Sequence, residues 1–335
     1  MKPDTGTAGM AGAASARALW IPAAGICEIR EQPLPPPGDG QVRARMLFSG
    51  ISRGTENLVF QGRVPVSEFE RMRGPHMGGD FPFPVKYGYS AVGRVEQGPP
   101  SLAGRTVFCL HPHQDVFTVA ADAVTPLPEG LPPARAVLAA NMETALNIVW
   151  DADILPGDRV AVFGAGVVGA LVAQLAAGII GTDVLLIDRN PARRTLAAAL
   201  GLGFATGETA AGPFDVLVNA SGSAEALSRA IELAGQEARI VEASWYGDRS
   251  VSLPLGGAFH AHRLTIASSQ VGSLPPARRA RWPHARRLEK ALELLRDDRL
   301  DRLISGETHF ADLAAAYPAI LADAETLCHR IRYTE

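Results

Sequence analysis

Residues Val160 to Phe163 form an apolar run that enters the turn Gly164-Ala-Gly166-Val-Val-Gly169, and a second apolar run, Val184 to Ile187, ends in Asp188. No other stretch limits the fold so strongly. A strand, a G-x-G-x-x-G turn, a helix and a second strand make one βαβ unit, and each glycine has a task. Gly164 permits the tight turn, Gly166 lets backbone N–H groups approach a pyrophosphate, and Gly169 lets the helix pack closely on the strand. Val167 and Val168 open the helix, where free amides favour an anion. Asp188 stands 19 residues after Gly169, where a carboxylate can accept the hydroxyls of an adenosine ribose.

The stretch from Val160 to Thr182 carries no charge and is long enough to cross a bilayer. Five glycines and Gln174 interrupt it, and no basic cluster flanks it, so it reads as the buried interior of a parallel sheet and its covering helices. The chain is 47% hydrophobic and 20% charged with a formal net charge of −3, which offers nothing to a nucleic acid. Its three cysteines, Cys27, Cys109 and Cys328, are too scattered for a disulfide framework or a four-cysteine zinc lobe. The small-residue segment 1–17 lacks the apolar core of a signal peptide and reads as a disordered tail, and the protein as cytoplasmic.

From Ala18 to about Leu131 the signals are those of β-structure. Val42, Ala44, Met46 and Phe48 alternate with Arg43, Arg45 and Leu47, and proline and glycine punctuate short apolar runs such as Tyr87 to Glu96 and Arg105 to Cys109. After Pro132-Pro133 the texture changes to alternating strand and helix signals, the mark of a doubly wound parallel sheet. Two helical segments follow Pro275-Pro276. Before and within the first, His284 to Arg296, the arginines Arg278, Arg279, Arg281, Arg286 and Arg287 form a basic cluster that could attract an acidic substrate and more ordinarily reads as a solvated helix face.

The order of a β domain, a nucleotide domain and a short return segment resembles the medium-chain dehydrogenase/reductase superfamily. Three segments carry the likeness. Ser49-Gly-Ile-Ser-Arg-Gly-Thr-Glu56 resembles the superfamily's G-I-C-x-T-D segment, and Tyr87-Gly-Tyr-Ser-Ala-Val-Gly-Arg-Val95 its G-H-E-x-x-G-x-V segment. Leu138 to Asn147 resembles the helix lining the cofactor cleft, which implies Thr144 as a cofactor contact. The resemblance implies an α/β fold. A GroES-like catalytic domain would span 18–135 and 275–335, and a Rossmann nucleotide domain 136–274. It also implies a homodimer and a small-molecule substrate.

The departures from the pattern narrow the chemistry. Where zinc-dependent members carry a cysteine, a histidine and often a second cysteine, this chain has Ser52, Tyr89 and about Ala140, none of which suits zinc. The sequence therefore resembles a zinc-independent branch, and its wording is most like the bacteriochlorophyllide dehydrogenase group. Asp188 favours NAD over NADP, although Arg189, Arg193 and Arg194 could receive a 2′-phosphate if Asp188 turned away. Arg193 is also a candidate to flank the adenine. Ala220, Ser221 and Gly222, together with Ser269, follow strands at the carboxyl edge of the sheet and are further candidates for cofactor contact.

Candidate catalytic groups are Ser52, Thr55, Tyr89 and His113, as proton donors to a carbonyl. The expected activity is NAD(P)-dependent hydride transfer to or from a carbonyl, alcohol or enone without catalytic zinc. Two alternatives stay open: zinc held by displaced ligands such as Glu56, His111 and His113, and a nucleotide-sensing protein that performs no catalysis.

Overall fold

The computed structural model describes residues 14–333. The tail expected over 1–17 lies largely outside these, but residues 15–17 already belong to a strand, Ser15–Ala23, paired with Ile26–Pro33. Strand Gln41–Ser52 then anchors a seven-stranded sheet. Ala91–Gln97 and Val116–Ala120 pair with it antiparallel, as does Cys328–Arg332, which returns from the far end of the chain. Val42, Ala44 and Met46 are fully buried, as their alternation requires.

Six strands make the second sheet, in the order Gly203–Ala205, Asp183–Ile187, Arg159–Phe163, Phe214–Asn219, Ala234–Glu242, Thr265–Ser268, all parallel. Its central strand serves two cores. Val160 and Val162 pack with the helices Ala139–Ala152, Val167–Ala177 and His284–Leu294, while Ala161 and Phe163 pack against helix Ala224–Leu233 on the other face. Burial on both faces explains the unbroken apolar run. Among the described residues no helix is long and apolar enough to cross a membrane.

The segment read as catalytic from residue 275 divides in two. Leu288, Ala291, Leu292 and Leu295 join the nucleotide-side core, and pairing with the first sheet begins only at strand Ile304–His309, beside Cys328–Arg332. Helix Leu313–Ala322, with Pro318 inside it, packs under the first sheet through Leu313, Tyr317, Ile320 and Leu321.

The glycine turn is the tightest point of the fold. A Cβ on Gly169 would collide with the Gly164 carbonyl oxygen, and one on Gly164 would come within 2.8 Å of Ser221 Cα. Both partners are backbone and cannot swing away. Gly169→Ala should therefore destabilise the protein by about 3 kcal/mol or more, read as a lowered urea midpoint with an unchanged slope.

Candidate active site

Strand register lines up the cleft. Phe163 is paired with Ile187 and Asn219, Asn219 with Glu242, and Glu242 with Ser268, so these residues form one row across the sheet. The residues that follow them, Asp188, Gly164, Ala220, Ala243 and Ser269, leave the carboxyl ends of their strands together. That edge is where open α/β sheets bind ligands. Helix Val167–Ala177 starts there, with Gly166 at its N-cap and open space where a Gly166 side chain would stand. The Asp188 carboxylate is fixed by two backbone donors, Ala165 N–H at 2.7 Å and Asn190 N–H at 2.8 Å. A cradle kept free of Cβ atoms, a helix start and a fixed carboxylate fit the pyrophosphate and ribose of a nicotinamide dinucleotide.

The second half of the site comes from the antiparallel sheet. Ser52, at the end of its strand and the N-cap of helix Arg53–Phe60, stands beside Thr55 and Tyr89. Burial of the phenol, and next the nearby Glu56 charge, push the Tyr89 pKa up to about 12, while the Ser52 and Thr55 hydroxyls pull it down. Asn141, from the cleft helix Ala139–Ala152, reaches Ser52 Oγ through Nδ2 at 3.5 Å. The result is a group of hydroxyls and one amide.

A largely buried network lies beneath this group. Glu56 has no exposed surface and accepts three hydrogen bonds: from Ser52 N–H at 2.7 Å, His113 Nε2 at 3.0 Å and the Tyr317 hydroxyl at 2.7 Å. Ser49 Oγ lies 2.8 Å from His113 Nδ1 and 2.9 Å from the Tyr333 hydroxyl. His113 Nε2–H donates to Glu56, and Nδ1, Ser49 Oγ and the Tyr333 hydroxyl continue the chain on the other side of the ring. The expectation that His113 faces a substrate is corrected here. Its side chain has no exposure, both ring nitrogens are engaged, and it supports the site from below. His111 is likewise in the core, stacked on Phe117 with ring centroids 4.3 Å apart.

The other candidates are distributed as follows. Ser221 turns its hydroxyl and amide onto Asn219 Oδ1, Gly222 donates its amide to Ser244 Oγ, and Thr144 bonds back to the Ala140 carbonyl. Ser269 donates to Asp151 at 2.6 Å. Arg189 is exposed beside Asp188. Arg193 does not point along the cleft. Its guanidinium donates to the Ala324 and Glu325 carbonyls, and the adenine-flanking role expected of it meets that competing claim. Arg194 lies over the Phe204 ring.

Sequence reasoning passed over Glu242 in the cleft row. Its carboxylate accepts from Asn219 Nδ2 at 2.7 Å, the Tyr246 hydroxyl at 3.1 Å and Ser244 N–H at 2.7 Å. An acid ending an apolar strand, as Asp188 does, was the available signal.

Zinc prefers thiolate, imidazole or carboxylate donors. The residues at the cleft are hydroxyls and an amide, and the neighbouring imidazole–carboxylate pair, His113 and Glu56, is spent on itself and on Ser49, Ser52 and Tyr317. Among the described residues no three His, Cys, Asp or Glu side chains converge. Ser52, Thr55, Tyr89 and Asn141 are not donors of that kind.

No family model matches the chain. It is 26% identical over 319 residues to 2-desacetyl-2-hydroxyethyl bacteriochlorophyllide A dehydrogenase of Rhodobacter capsulatus, covering 87% of this chain and 90% of that one. It is also 26% identical over 276 residues to the starvation-sensing protein RspB of Escherichia coli, covering 73% and 80%. Among solved structures, E. coli RspB in complex with NADH superimposes with a TM-score of 0.76 at 17% identity, covering 96% of this chain and all of that one. A putative zinc-binding dehydrogenase of Sinorhizobium meliloti bound to NADP gives 0.75 at 18%, with the same coverage. The chain thus has the two-domain fold of the medium-chain dehydrogenases, a GroES-like unit joined to a Rossmann unit.

Two substitutions separate support from contact. Glu56→Ala strands three donors, two of them fully buried, and should cost about 3–5 kcal/mol in urea unfolding, whereas Tyr317→Phe, which removes one hydrogen bond, should cost about 1–2 kcal/mol. Gly166→Ala, introduced into open space, should lower stability in urea unfolding by no more than about 1 kcal/mol, the cost of alanine in place of glycine at an N-cap. It should still weaken dinucleotide binding in a calorimetric titration, because the new methyl faces the pyrophosphate path.

Proposed function

We propose that the chain is an NAD-dependent medium-chain dehydrogenase/reductase that exchanges a hydride with a carbonyl, alcohol or enone substrate, using Tyr89 where zinc-dependent relatives use the metal. When bound, the nicotinamide supplies or accepts the hydride. The observation that carries the reading is the meeting of the two halves. A Cβ-free cradle with Asp188 fixed beside it ends at the carboxyl edge of the parallel sheet, and Asn141 on the cleft helix reaches Ser52, which with Thr55 bonds to the Tyr89 hydroxyl.

Each residue then has a defined task. Asp188 accepts the adenosine ribose hydroxyls and opposes a 2′-phosphate. Ser52 and Thr55 orient the Tyr89 phenol, which donates a hydrogen bond to the substrate oxygen and gives up its proton as an alkoxide forms. With its pKa raised to about 12, the phenol stays protonated through the neutral range, the state a donor needs. Water or a neighbouring hydroxyl returns the proton. Strand Thr265–Ser268 is one of the two edge strands of the parallel sheet, and a homodimer would pair through it.

The test is NADH oxidation over a panel of ketones, aldehydes and enones, with NADPH as the control. Tyr89→Phe should lower kcat by about a hundredfold or more and leave the NADH dissociation constant within about twofold. The reduction rate should be flat up to about pH 9, since the donor's raised pKa keeps it protonated across that window. A Tyr89→Phe protein with full kcat would remove Tyr89 from the reaction. A chain that binds neither dinucleotide would overturn the reading as a whole.

A further inference from the structure

The arginine run Arg278 to Arg287 contains an exception to the solvated face it suggests. Arg287, on helix His284–Leu294, is 2% exposed and is the largest fully buried side chain of the described residues. Its planar fork reaches three acceptors in different directions. Nε donates to Glu143 at 3.0 Å, Nη1 to the Asn147 side-chain oxygen at 2.5 Å, and Nη2 to the Val271 carbonyl at 2.6 Å. Glu143 and Asn147 are successive turns of the cleft helix, and Val271 is in the loop that leaves the last strand of the parallel sheet.

The same loop is tied again at its start. Ser269 Oγ donates to Asp151, and Asn147 Nδ2 donates to that same carboxylate oxygen at 3.0 Å. Glu143, Asn147, Asp151, Ser269 and Val271 thus form one connected set, with Arg287 as the member that reaches both ends of it. Packing alone would not select this residue, because burying a guanidinium is costly unless its donors are matched, and an apolar side chain fills a helix interface at lower cost.

The loop's place in the sheet gives the set a function. From the strand that ends in Asp188 to the strand that ends at Ser268 there are four strand spacings, about 19 Å, roughly the span of an extended dinucleotide. With adenosine at Asp188, the nicotinamide end falls toward residues 269–272. We propose that Arg287 is a positioning residue that fixes the 269–272 loop against the cleft helix and thereby sets the nicotinamide's orientation. The proposal rests on the cofactor reading above.

The experiment compares NADH with ADP-ribose, which carries the adenosine and pyrophosphate but no nicotinamide, by calorimetric titration of the full chain and of Arg287→Lys. A lysine ammonium serves one of the three directions and releases the others. Arg287→Lys should weaken NADH about tenfold, leave ADP-ribose within about twofold, and reduce the fluorescence enhancement of bound NADH. Glu143→Gln, nearly isosteric, should show the same split at about two- to threefold and carries the test if the lysine variant does not fold. An equal loss of both ligands would make Arg287 structural only, and unchanged affinity for both would remove it from the site; either result overturns the proposal. Failure of the parent chain to bind ADP-ribose or NADH would instead overturn the cofactor reading on which the proposal stands.

Discussion

A carboxylate with no exposed surface sits where distant parts of the chain meet, and the catalytic half of the site is built on it. Taking Glu56 out of water costs several kcal/mol unless its lone pairs are filled. Ser52, His113 and Tyr317 fill them, drawing together a strand end, the 111–114 loop and a helix 261 residues further along the chain. That requirement makes the C-terminal return obligatory. Without Tyr317 and Tyr333, Glu56 Oε2 and Ser49 Oγ would each lose a hydrogen-bond partner in the interior.

The parallel sheet contributes rigidity of another kind. Its central strand is buried on both faces and its glycine turn has no room for a methyl at Gly164 or Gly169, so the row from Ile187 to Ser268 is set by backbone pairing. Polar side chains finish that edge. Asn219, Glu242 and Tyr246 bond to one another on one part of it, and Asp151, Asn147 and Ser269 on another. Satisfied networks of this type hold loops in one conformation, which hydride transfer needs because the reacting atoms must be aligned closely.

Much of the architecture was legible in the residues because it depends on local rules. The βαβ unit follows from glycine spacing, and the strand Gln41–Ser52 from alternation. That Ser52 and Tyr89 stand where the resemblance leads one to expect zinc ligands is read from the residues directly. Other features depend on contacts that no local pattern encodes. His113 reads as a titratable group near a cofactor, yet it is in the core because Ser49 and Glu56 arrive from a strand and a helix 64 and 57 residues away. Arg287 stands among four other arginines and reads as surface. Its spacing said otherwise, since it is adjacent to Leu288 and one helical turn before Ala291 on the apolar side.

The proposed account turns on hydroxyl groups doing at the cleft what a metal does in zinc-dependent relatives. The measurement that tests this most directly is zinc content by mass spectrometry on a preparation showing NADH-dependent turnover, before and after exhaustive chelation. The account predicts less than about 0.1 zinc per chain and the same turnover in both samples. About one zinc per chain, with turnover lost on chelation and restored by added zinc, would contradict it and move the reaction away from Tyr89.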